Sequence, residues 1–214
     1  MKATVDLFDA PILPGLALAD DFVSRAEEQA LIAAIDATDL SPFRFHGWEG
    51  RRLTISHGWT YDFDGGRLNR SNAFPDWLLP FRDGAAAFAG LPREELVQAL
   101  LIRYDPGAGI GWHRDRPAFG HVIGISLGAP AAMRFRRRRN DRFERANAPL
   151  VPRGAYHLIG EARYEWEHSI AALDRARWSV TFRSLAARKG KATARPTPTP
   201  EGGVERRSSD GTGC

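Results

Sequence analysis

From Val97 onward the sequence breaks into short apolar runs, with a turn signal between most of them. V-Q-A-L-L-I-R-Y, H-V-I-G-I-S-L, A-M-R-F-R, A-Y-H-L-I, W-E-H-S-I and R-W-S-V-T-F-R-S each span five to eight residues. D-P-G-A-G, G-A-P and V-P-R-G separate them. Runs of this length suit single passes of a sheet and are too short for packed helices. Many short strands in close succession argue for a β-sandwich or jelly roll.

The first half reads differently. S-R-A-E at Ser24 is a capping-box pattern, and Leu31, Ile32 and Ile35 follow at helical spacing, so a helix is expected over about 24–38. A second is expected near 76–89, with Trp77, Phe81, Ala85 and Phe88 on one face and Pro80 in the first turn. Residues 41–70 mix aromatics, glycines and arginines and predict short strands and turns, R-R-L-T-I-S being the best strand. Residues 1–19, with Pro11, Pro14 and Gly15, read as an irregular arm. After Leu185 apolar residues give way to Pro, Thr, Gly and Ser, so 186–214 is expected to be a disordered tail. The organisation is one domain over 1–185, α+β with a mainly β core over 96–185.

The only cysteine is Cys214, which excludes an internal disulfide framework and a cysteine-based metal site. No stretch approaches the ~20 apolar residues of a membrane span. Asp6 and Asp9 fall where a signal peptide would be apolar, so the cytosol is expected. The net charge of +4 is unevenly placed. The segment from Ala186 holds six basic and three acidic residues, and Arg134 to Arg145 holds seven arginines against Asp141 and Glu144. The local run is a better argument for an anionic partner than the global balance.

His113 and Asp115, two apart after the D-P-G turn, supply an imidazole and a carboxylate, two-thirds of a facial triad for non-haem iron. On extended backbone that spacing points both side chains to one face. Chance alone yields about 0.4 such pairs in a chain with six histidines and fifteen aspartates, so the pair needs support. His121, His157 and His168 could supply a third ligand; His157, in an apolar strand, is read as a hydrogen-bonded core histidine and His121 likewise. In the last strand alternation puts Arg177, Ser179, Thr181 and Arg183 on one face and Trp178, Val180 and Phe182 on the other. Two arginines about 20 Å apart along a strand and leaning together would suit a short dicarboxylate.

The ordered set R-Y-D-P-G…W-H-R-D, G-I-S-L-G-A-P, G-E-A-R-Y-E-W-E-H-S-I and R-W-S-V-T-F-R resembles the AlkB-like Fe(II)- and 2-oxoglutarate-dependent dioxygenases over roughly 97–185. The resemblance implies a double-stranded β-helix (jelly roll) with the N-terminal helices packed on it, residues 1–95 forming a substrate lid. It implies Fe(II) on His113, Asp115 and His168. It implies 2-oxoglutarate held by Arg177 and Tyr104 beside Ser179, with Arg183 near the metal end, and O2 as oxidant. Ile102 and Ser179 stand where the family often has asparagine, and Arg116-Pro117 follow where some base-demethylating members are acidic. The implied activity is demethylation of N-alkylated bases in nucleic acid, an alkylation-repair reaction releasing succinate, CO2 and formaldehyde.

Such a base must be single-stranded or flipped out to reach buried iron. Trp48, Tyr61, Arg51, Arg52 and Arg136 are the expected substrate contacts, stacking on bases or gripping phosphates. DNA is favoured over RNA, and the protein is expected to act as a monomer away from membranes. The alternatives are the same chemistry on a protein or small molecule, or a nucleic-acid-binding module without turnover.

Overall fold

The computed structural model describes residues 11–45, 48–62 and 65–187, the side chains of 44, 45, 48, 49 and 62 excepted. The expected disordered tail lies almost wholly outside that range, as do the first ten residues of the arm and the side chain of Trp48. Among the described residues no helix is long and apolar enough to cross a membrane.

In chain order the elements are β1 (Leu16–Ala19), α1 (Arg25–Asp36), β2 (Ser41–Phe45), β3 (Trp48–Asp62), β4 (Arg67–Arg70) and α2 (Leu79–Ala89). Then follow β5 (Leu96–Tyr104), β6 (Ile110–His113), β7 (Phe119–Gly128), β8 (Ala131–Arg139) and β9 (Arg142–Leu150). The last are β10 (Ala155–Leu158), α3 (Gly160–Tyr164), β11 (Glu167–Ile170) and β12 (Arg177–Leu185). The major sheet runs β1-β10-β7-β12-β5-β3-β2, with β4 paired to β3, and the minor sheet runs β6-β11-β8-β9. All pairings are antiparallel. Two such sheets face to face make the jelly roll that the strand series predicted.

Both expected helices form. The Ser24 hydroxyl accepts from Glu27 N at 3.2 Å, and Ser24 N donates to Glu27 Oε2 at 2.7 Å, closing the capping box. Pro80 sits in the first turn of α2, where its missing N–H costs nothing, and Gly90 ends the helix at φ 66°. Leu31 and Ile35 of α1 and Ala85 and Ala86 of α2 bury against Val180, Phe182 and Leu101 of the major sheet. Each large apolar side chain buried there contributes about 1.5–3 kcal/mol. Trp178, Val180 and Phe182 thus face the helices, as alternation requires, while their neighbours on β12 face the space between the sheets.

Three elements depart from expectation. The arm is not wholly irregular: β1 pairs with β10 and buries Leu16 and Leu18 between the sheets. Residues 48–62 form one strand of 15 residues rather than several short ones. Gly58, at φ 77°, lets β3 leave β5 and take up β4; an added Cβ there would lie 2.1 Å from Val97 O. The arginine-rich run makes the hairpin β8–β9, turning at Asn140 with φ 54°. Its second strand, polar and containing Pro149, is tolerated because it is the edge of the minor sheet. His121 and His157 lie on the helix-covered side, Nδ1 to Nε2 3.0 Å apart, with Phe88 of α2 against His157.

Two stability outcomes are expected. Tyr156 lies opposite Gly124, and a Cβ on Gly124 would meet its ring at 2.2 Å. Gly124→Ala should cost about 1–3 kcal/mol in chemical denaturation, whereas Gly111→Ala, whose Cβ meets nothing within 4 Å, should change little. Burial, then the neighbouring His121, lowers the His157 pKa from 6.5 to about 4. The unfolded chain therefore takes up this proton first as pH falls. Stability should decline from pH 6.5 toward about 4, and less steeply in His157→Gln, followed by thermal melts across that range.

Candidate active site

Between the sheets lies a cavity of about 920 Å³. β12 turns Arg177, Ser179, Thr181 and Arg183 into it; β5 adds Gln98, Leu100, Ile102 and Tyr104. β3 adds Arg52, Thr54 and Ser56, and the minor sheet adds His113, Met133, His168 and Ile170. Both halves of the sequence motif therefore meet in one space.

His113 ends β6 and is the register partner of His168 on β11, with ring centroids 4.3 Å apart. Asp115 lies two residues beyond the strand end and reaches the same space from the loop between β6 and β7. His113 Nδ1 donates to the Gly111 carbonyl at 2.9 Å, which in that tautomer leaves Nε2 as the lone-pair donor. His168 Nε2 stands 3.7 Å from Asp115 Oδ2. Burial, reinforced by His113, pushes the His168 pKa down to about 3, and burial lowers that of His113 too. Burial alone would raise the Asp115 carboxyl, but Arg183, His168, His113 and Arg163 hold it well below the ordinary carboxylate range. Two neutral imidazoles beside an ionised carboxylate are the donor set that divalent iron takes.

The set is open. Among the described residues no three His, Cys, Asp or Glu side chains stand at ion-caging distance. The 3.7 Å gap exceeds the roughly 3 Å between two ligands at a right angle on one ion. Asp115 is drawn the other way by Arg183, whose Nε and Nη2 reach Oδ1 at 2.9 and 2.7 Å.

The two arginines of β12 are not equivalent. Arg183 is committed to Asp115 and, through Nη1, to Gln98 Oε1 at 3.0 Å. Arg177, 1% exposed, donates from Nη2 to Ser126 Oγ at 3.0 Å. Its Nε and Nη1 are buried without a hydrogen-bond partner among the described residues. Unpaired buried guanidinium donors are costly, and a carboxylate satisfies them in pairs. Arg177 also lies 5.3 Å from the Tyr104 ring centroid, and Ser179 stands opposite Ile102 in register. Of the two, Arg177 is therefore the one with donors to spare for a carboxylate, while Arg183 is spent on Asp115 and Gln98.

The expected substrate contacts disperse. Tyr61 lines the cavity, with Arg116 5.0 Å from its ring centroid. Arg51 is exposed. Arg52 is buried in the cavity wall rather than offered to a phosphate outside. Arg136 ion-pairs with Glu167 at 2.7 Å. Within the arginine run, Arg137 is held by Glu144, Glu161 and Glu165, and Arg139 by Glu144, so this run is less free than its sequence suggests.

Arg163 of α3 went unrecognised in the sequence. It is 3% exposed and donates to the carbonyls of Arg116, Phe119 and Gly120 at 2.6, 2.7 and 3.2 Å. It braces the loop that carries the chain from Asp115 into β7. A lone arginine in G-E-A-R-Y has no periodic signal; only its burial reveals the role.

Neutral imidazoles beside an ionised carboxylate suit divalent iron, and Arg177, with Nε and Nη1 unsatisfied, suits a carboxylate co-substrate. The chain belongs to the 2OG-Fe(II) oxygenase superfamily, whose family model matches residues 15–190. It is AlkB-like, a 2-oxoglutarate-dependent dioxygenase using Fe(II), 2-oxoglutarate and O2. It is 30% identical over 209 residues to the "Alkylated DNA repair protein ALKBH8 homolog" of Arabidopsis thaliana, covering 84% of this chain and 58% of that one. It is 28% identical over 167 residues to the "tRNA (carboxymethyluridine(34)-5-O)-methyltransferase alkbh8" of Xenopus tropicalis, covering 73% of this chain and 25% of that one. The "Probable RNA/DNA demethylase ALKBH6" of Danio rerio is 27% identical over 124 residues, 55% of this chain and 48% of that one. The chain thus spans only part of the length of these relatives. The solved structure of OsALKBH1 shares the fold at a TM-score of 0.61 and 15% identity, over 79% of this chain and 96% of that one.

His113→Ala and His168→Ala should each lose stoichiometric iron, read as metal content after anaerobic dialysis; loading that survives both removes them from the ligand set. Arg177→Leu should weaken 2-oxoglutarate binding about a hundredfold by anaerobic calorimetry, the cost of losing a charge-assisted pair.

Proposed function

We propose that this enzyme oxidatively removes methyl groups from the nitrogens of nucleic-acid bases presented single-stranded or flipped out, an alkylation-repair reaction, with DNA the first substrate to test. In this reading His113, Asp115 and His168 hold Fe(II), and Arg177, Tyr104 and Ser179 hold 2-oxoglutarate.

The observation that carries the substrate class is a ladder of guanidinium and aromatic groups on the outer face of the minor sheet, which meets the cavity at Trp112. Trp112 lines the cavity and lies 4.5 Å from the Arg136 guanidinium and 5.2 Å from that of Arg134. Phe143, 41% exposed, lies 4.9 Å from Arg136 and 5.7 Å from Arg145. The register places Arg136 beside Arg145 and Arg138 beside Phe143, on the face opposite buried Met133 and Phe135. Guanidinium charge interleaved with aromatic faces is suited to a phosphate backbone with unstacked bases. The names of the relatives, which include DNA repair, tRNA and RNA/DNA demethylation, support a nucleic acid.

When bound, Fe(II), 2-oxoglutarate and O2 supply the oxidation: one oxygen atom enters succinate as CO2 leaves, and the other enters a methyl C–H, so that the hydroxymethyl product releases formaldehyde. The chain supplies the setting. Arg183 keeps Asp115 ionised and oriented, and burial keeps both histidines neutral. Arg177 waits for a carboxylate with two unpaired N–H groups. Leu100, Ile102, Met133 and Ile170 give the cavity its apolar walls, which exclude water from reacting groups.

The test is formaldehyde release from single-stranded DNA and RNA oligonucleotides carrying 1-methyladenine, 3-methylcytosine or 3-methyluracil, with iron, ascorbate and 2-oxoglutarate. Release above the unmethylated control is expected, reduced in Trp112→Ala. Succinate formation without formaldehyde from any of them would remove the nucleic-acid reading and leave the oxygenase.

A further inference from the structure

The cavity is lopsided in charge. Arg52, Arg114, Arg116, Arg177 and Arg183 line it, against a single carboxylate, Asp115, among the described lining residues. Four of these arginines have other business. Arg183 binds Asp115, Arg114 reaches the Tyr164 carbonyl at 3.4 Å, and Arg116 lies over Tyr61. Arg177 is the group a co-substrate carboxylate would satisfy.

Arg52 is left over. It is 9% exposed, and its guanidinium lies 3.9 Å from the ring centroid of Phe43, itself part of the cavity wall. Its Nε is buried with no hydrogen-bond partner among the described residues. It lines the same cavity as His113, Tyr104 and Arg183. A buried cation with an idle donor is unfavourable alone and becomes favourable when an acceptor arrives. A second cation arriving there would be repelled in a low-dielectric space.

We propose that Arg52 sorts substrates by charge, donating to a carbonyl or carboxylate oxygen of the methylated base and disfavouring a base that is itself cationic. This rests on the nucleic-acid reading above and narrows it. A neutral base with carbonyl oxygens, such as 3-methyluracil, fits. 3-Methylcytosine carries its methyl group on the same ring nitrogen but is a cation with an amino group in place of one carbonyl. Specificity of this kind comes as much from the repelled competitor as from the bonded partner.

The experiment uses two single-stranded oligonucleotides that differ only in 3-methyluracil or 3-methylcytosine. Formaldehyde release gives kcat/KM, and fluorescence anisotropy gives affinity. The wild-type protein should favour 3-methyluracil by at least about tenfold in kcat/KM. Arg52→Gln should bring the ratio toward parity by raising turnover of 3-methylcytosine, and Arg52→Lys, which keeps the charge, should retain most of the preference. Should Arg52→Gln fail to fold, the wild-type ratio and Arg52→Lys still decide. Equal or greater turnover of 3-methylcytosine by the wild type overturns the sorting role and leaves base demethylation standing. Neither oligonucleotide yielding formaldehyde or binding better than its unmethylated control overturns both.

Discussion

Asp115 and Arg183 meet inside the cavity, 2.7 Å apart and both largely shielded from water. Taking both charges out of water is expensive, and the pair persists because the guanidinium also reaches Gln98 and the carboxylate faces two imidazoles. The contact ties the turn after β6 to the last strand, sixty-eight residues on. It orients the carboxylate, leaves Arg177 as the uncommitted guanidinium of β12, and helps set the field in which the histidines stay neutral. Arg163 supports it by holding the carbonyls of the loop that follows Asp115.

The last strand joins stability and chemistry. Its apolar face, Trp178, Val180 and Phe182, packs under α1 and α2, and its polar face builds the cavity wall. A one-residue slip in register would exchange the two faces, burying arginines under the helices. Pairing to β5 on one side and β7 on the other holds that register. Folding and site assembly are therefore one event on this strand.

Arginine serves opposite ends here according to its surroundings. In the β8–β9 hairpin, Arg137 and Arg139 are largely answered by glutamates, Arg134 and Arg145 lie over aromatic rings, and Arg136 does both, pairing with Glu167 and lying over Trp112. Arg52, one residue from exposed Arg51, is turned inward onto Phe43. The parity of β3 explains that division: neighbouring residues on a strand point to opposite faces.

Much of the fold was legible because periodicity is a local property. The short strands, the Ser24 capping box and the alternation of β12 each depend on neighbours a few residues apart, and they determined the jelly roll and its helices. The candidate site was legible only as a set, since His113 and Asp115 alone were near chance and gained weight from His168 and the arginines of β12. Where the sequence lacked period, the reading missed: β1, the full length of β3, polar edge strand β9, and Arg163. Only the tertiary structure decided which arginines are spent and which are free. Charge pairing depends on distances between strands far apart in sequence: only the family resemblance separated Arg177 from Arg183, and no local pattern showed Arg183 committed to Asp115 or Arg52 within the cavity.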